Sequence, residues 1–155
     1  MLSTSAPRAT LLVRVAVGAV FLSEGIQKFL FAEELGAGRF ARIGIPWPEV
    51  MGPFVGVVEI VCGALVSAGL LTRLAAVALS ADMLVAIFAT KLPILLGHGF
   101  WGFADPSARR TGFWSMAHES RTDLAMLLGS IFLAIVGAGA WSIDALVARR
   151  DRSGT

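Results

Sequence analysis

Residues 10–31, TLLVRVAVGAVFLSEGIQKFLF, decide how this chain is read. The run is apolar and meets the requirement of about 20 residues for crossing a bilayer as a helix. Yet it carries Arg14, Glu24 and Lys28. A charge at the centre of a spanning helix costs roughly 3 kcal/mol or more, so such groups persist where a partner or a function compensates. Arg14, Gly18, Phe21, Gly25 and Lys28 follow one another at helical spacing and share one face, a groove with basic ends. Glu24 precedes Lys28 by one helical turn, in the favourable order, but is displaced around the helix from that face.

The rest of the chain has the same character. Hydrophobic residues make up 56% and charged residues 15%, whereas a soluble domain carries about 25% charged residues. The mean hydropathy is +0.77. Four apolar runs, about 10–31, 51–71, 74–96 and 123–147, occupy most of residues 1–155 and leave outer loops at 32–50 and 97–122. The expectation is a single all-α membrane domain, a four-helix transmembrane bundle running up-down-up-down.

The first run contains charges and lacks a small-x-small cleavage signal, so it reads as a retained helix rather than a signal peptide. Cys62 stands alone in mid-span, which excludes an intramolecular disulfide or a cysteine-rich metal site. The net charge of +2 is scattered over short flanks and forms no nucleic-acid face. Arg8, Arg14, Arg73, Arg149, Arg150 and Arg152 fall on the side of both termini, which places that side in the cytoplasm by charge density.

The second run presents Gly52, Gly56, Glu59, Gly63 and Ser67 on one face, a stripe of small residues interrupted by one carboxylate. By depth, Lys28 reaches Glu59, with Glu24 in support. The third run sets Asp82 among alanines, and depth pairs it with Arg14 as a structural ion pair. Between the third and fourth runs lies the longest polar segment. It holds His98, Trp101, Trp114, His118 and Glu119, with aromatics suited to the headgroup region. No metal site is expected there, because the spacing of the two histidines matches no ligand motif.

Several of these features together resemble the DoxX family. They are Arg14 early in the first helix, Gly25-Ile26-Gln27-Lys28-Phe29 at its end, Glu59 after Pro53, and Gly69-Leu70-Leu71-Thr72-Arg73 at a tight turn. Glu119 before the last helix, and Gly137 to Asp144 near its end, complete the pattern. The resemblance implies a four-helix protein of the bacterial inner membrane, grouped with small subunits of thiosulfate:quinone oxidoreductase-type systems. The loop bearing His98 and His118 is longer and richer in His and Trp than the family pattern. The expected function is a membrane subunit of an oxidoreductase system, binding a quinone-like ligand between helices at Lys28, Glu59 and Glu24. His98, Trp101, His118 and Glu119 are expected at the mouth, and a protein partner or a second copy of the chain alongside. The competing expectation is a non-catalytic assembly subunit packed against a larger membrane complex. A small transporter, with a wet path from Glu59 to Asp82, is the third.

Overall fold

The computed structural model describes residues 7–106 and 108–153, the last five of these by backbone alone. The side chains of Arg149, Arg150 and Arg152, and the tail beyond them, lie outside the described residues. Among the described residues all regular structure is helical. Helix α1 spans Thr10–Leu30, α2 is the short Ala37–Ile43 and α3 spans Pro48–Ala68. Next, α4 (Thr72–Ala86), a π-helical turn (Ile87–Lys91) and α5 (Leu92–Leu96) form one continuous rod. Helices α6 (Phe113–Glu119), α7 (Arg121–Val136) and α8 (Ile143–Ser153) complete the chain.

Three of these elements, Thr10–Leu30, Pro48–Ala68 and Thr72–Leu96, are long and apolar enough to cross a membrane. At 21 residues, α1 and α3 each reach about 30 Å, the thickness of the hydrocarbon core. Their outward faces carry exposed apolar side chains such as Leu12, Val57, Val61 and Leu84, which suits contact with lipid. The protein is therefore a helical membrane protein.

Helices α1 and α3 approach at backbone distance because glycines face each other. A methyl group at Gly18 would stand 2.7 Å from the Gly63 carbonyl oxygen, and one at Gly25 would stand 2.7 Å from that of Gly56. Where lipid removes the hydrophobic drive between helices, such close packing holds them together. Val17, Phe21, Val66, Ala76, Leu79 and Leu133 form the buried core between α1, α3, α4 and α7.

The rod after α3 changes from α to π geometry and back within its own sequence. Pro93 has no N–H for the carbonyl one turn back, and the π-helical turn directly before it absorbs the mismatch. In that turn Thr90 donates its hydroxyl to the Ala86 carbonyl at 2.7 Å.

The fourth apolar run differs from expectation. Rather than one helix over 123–147, α7 ends at Val136 and the chain leaves helical geometry at Gly137 (φ 86°, ψ −166°). Gly139, at φ +81°, lies in the left-handed region that glycine tolerates, and helix resumes only at Ile143. The loops differ too, since α2 and α6 fold inside the two outer connections.

Candidate functional site

Two polar layers cross the interior. The first lies where α1 begins, α3 ends and α7 breaks. Arg14, only 2% exposed, donates its Nε to the Val66 carbonyl at 3.0 Å and its Nη2 to Ser67 at 2.9 Å. Its Nη1 donates to the carbonyls of Ala138 at 2.8 Å and Trp141 at 2.7 Å. Irregular backbone at membrane depth is tolerated only where protein supplies the missing hydrogen bonds, and the guanidinium supplies them here. The expected Arg14–Asp82 ion pair is absent, because carbonyls occupy the Arg14 fork. Depth gives the reason. Arg14 lies one turn from the start of α1, about 6 Å in, whereas Asp82 lies about 15 Å into α4.

Asp144 closes the same layer. Its Oδ1 accepts from the Leu71 N–H at 2.9 Å and its Oδ2 from Thr72 at 3.2 Å, so a distant carboxylate caps the start of α4. Gly69, at φ +71°, sits against Arg14, and a methyl group there would stand 2.6 Å from the guanidinium carbon.

The second layer lies deeper and is built differently. Lys28 of α1 places its Nζ 2.6 Å from Oε2 of Glu59 on α3, with both side chains largely buried. Asp82 of α4 stands beside Glu59 on the same space. All three border a cavity of about 330 Å³, together with Glu24. Val20, Phe21, Met83 and Ala86 supply apolar wall, and Arg39 of α2 and Asp123 of α7 also line it. Asp123 is held by Lys91 of the π-helical turn at 3.0 Å. The lining is amphipathic: acids, an ammonium and a guanidinium share the wall with hydrocarbon side chains.

Of the residues singled out from sequence, Lys28, Glu59 and Glu24 come together here, and Asp82 joins them instead of Arg14. The outer-loop residues do not line the cavity. His98 is exposed, its Nδ1 2.7 Å from the Gly99 carbonyl. His118 lies 2.8 Å from the Arg121 guanidinium. Glu119 lines a separate open hollow with Arg109 and Arg110. Trp101 is 91% exposed. The expected mouth built from these four is corrected: α2 and the start of α7 border the cavity instead. Sequence reading missed Arg39, which stands on a short helix that hydropathy does not resolve. Asp82 was legible, because the helical rise puts it about 15 Å along α4, level with Glu59 about 14 Å from the opposite end of α3.

Together the fold and the cavity define a small helical membrane protein with a buried lysine–carboxylate site among its spans. The chain belongs to the DoxX family, whose model matches residues 9–92. It is 52% identical over 150 residues, covering 97% of this chain and 88% of the relative, to "Uncharacterized membrane protein Rv3486" of Mycobacterium tuberculosis (strain ATCC 25618 / H37Rv). It is 30% identical over 145 residues, 94% of this chain and 91% of the relative, to "Putative oxidoreductase CatD" of Bacillus subtilis (strain 168). No solved structure matches the chain significantly.

Proposed function

We propose that the protein is a membrane subunit of an oxidoreductase system that binds the head group of a quinone-type ligand in the cavity beside Lys28, Glu59 and Asp82. The observation that carries this reading is the cavity itself: about 330 Å³ of space beside a buried ion pair, lined by both charged and hydrocarbon side chains. That volume lies at the small end of the usual range for small-molecule sites, about 300–1,000 Å³, and suits a ring whose apolar tail leaves between helices. The Lys28 ammonium spends one N–H on Glu59 and keeps two for a ligand carbonyl. The name of the Bacillus subtilis relative agrees with redox work. Electrons would come from a partner protein: the Gly-x-Gly-x-x-Gly string at Gly97–Gly102 follows helix α5 rather than the strand of a dinucleotide-binding unit, and the chain has a single cysteine.

In this reading α7 serves as the fourth span. Its 16 residues reach about 24 Å, and the segment held by Arg14 completes the crossing. The protein sits in a bacterial inner membrane with both termini on the cytoplasmic side, where Arg8, Arg14 and Arg73 cluster.

The test is chemical. Protein purified from membranes is extracted with organic solvent and its quinone content measured per chain. Stoichiometric quinone in the wild type, lost in Lys28→Met, supports the reading. No quinone in the wild type, even after incubation with excess, overturns it.

A further inference from the structure

The carboxyl of Asp82 has one oxygen that nothing satisfies. Its Oδ2 is buried and has no hydrogen-bond partner among the described residues. The nearby hydroxyls of its own rod are committed elsewhere: Ser80 donates to the Ala76 carbonyl and Thr90 to that of Ala86. Lys28 bonds Glu59 rather than Asp82, and Met83, Ala86 and Met126 of the cavity wall offer no donor. Around the cavity, the carboxylates of Glu24, Glu59, Asp82 and Asp123 outnumber the cations of Lys28 and Arg39. The fourth carboxylate, Asp123, is held by Lys91, and Arg39 is exposed on α2. Asp82 thus keeps one buried carboxylate oxygen on which no donor sits.

We infer that Asp82 makes the cavity selective for a ligand that donates a hydrogen bond, the hydroxyl-bearing quinol in preference to the quinone; this rests on the cavity taking a quinone-type ligand. A buried acceptor is costly when unpaired, so a ligand that brings a donor gains more than one that does not. As a carboxylate Asp82 is acceptor-only, so its free Oδ2 can take a hydrogen bond and cannot give one. A quinone brings only carbonyl acceptors, which suit Lys28 and are repelled at Asp82. A quinol brings hydroxyl donors, and a hydroxyl to a carboxylate is among the stronger hydrogen bonds. Asp82 is on this account a specificity-determining residue, and Lys28 an anchor common to both forms.

The experiment measures equilibrium binding of a decyl-tailed benzoquinol and of its benzoquinone, under anaerobic conditions, to the full chain in lipid nanodiscs. The wild type is expected to favour the quinol by about tenfold or more, one charge-assisted hydrogen bond's worth. Asp82→Asn is expected to weaken quinol binding and bring the ratio to unity or below, because its amide can donate to the quinone. Equal affinity for the two forms in the wild type overturns the inference and leaves the quinone cavity standing, and this comparison needs no variant to fold. A preference that survives Asp82→Asn overturns it as well. Binding of neither form overturns the reading on which it rests.

Discussion

Arg14 and Lys28 stand on the same face of α1, one near each end, and the protein uses them in opposite ways. Arg14 is spent entirely on backbone: four carbonyls from α3 and the broken end of α7 take its donors, and the packing there leaves no room even for a methyl group at Gly69. Lys28 makes one contact, to Glu59, and faces a cavity with a second, unsatisfied acid. A charge that is fully consumed by the fold is architecture. A charge left with spare donors beside open space is available for a ligand. Burial alone does not separate the two cases; what separates them is whether the hydrogen-bonding capacity is used up.

The largest expected effect breaks the first layer. Arg14→Met leaves four buried carbonyls without donors, each worth about 1–3 kcal/mol when orphaned, so a loss of several kcal/mol is expected. It would be read as lower membrane yield and a lower unfolding midpoint in detergent. Arg14→Lys should recover only part of this, because an ammonium cannot reproduce the planar fork. Gly69→Ala is expected to follow at about 2 kcal/mol, from the left-handed backbone and the crowding against Arg14 combined, measured by the same unfolding.

The second layer should respond the other way round. Lys28→Met is expected to weaken quinone binding about tenfold, while stability falls less than in Arg14→Met because Glu59 borders space that admits water. If Lys28→Met and Arg14→Met cost the same stability and neither changes binding, the distinction between the layers fails. The smallest effect belongs to the outer loop. The double variant His98→Ala with His118→Ala should change quinone affinity by less than about twofold, since exposed contacts of this kind contribute little. A large loss there would return the site to the loop.

The first three apolar helices were legible in the sequence to within a few residues, because length and hydropathy are what a bilayer demands of a span. The break after Val136 was not. Gly137-Ala138-Gly139-Ala140 is as apolar as a helix interior, and what unwinds it is a tertiary contact with an arginine far away in sequence. The tight turn and the Gly137 to Asp144 segment were seen as separate motifs, whereas the fold joins them through Arg14 and Asp144. Lys28 and Glu59 could be found because each stands alone among apolar residues. Asp82 was assigned to the wrong cation because depth was judged only by which half of the span it falls in, whereas the helical rise puts it about 15 Å into α4, level with Glu59. The cavity-lining Arg39 sits on a seven-residue helix that no periodicity announces.

Photolabelling with an azidoquinone, followed by mapping of the modified residues, tests most directly whether the second layer is the ligand site. The account expects label on α1, α3 and α4 around Lys28, Glu59 and Asp82, competed away by unmodified quinone and lost in Lys28→Met. Competable label confined to the outer loop around His98 and His118, and unchanged in Lys28→Met, would contradict it.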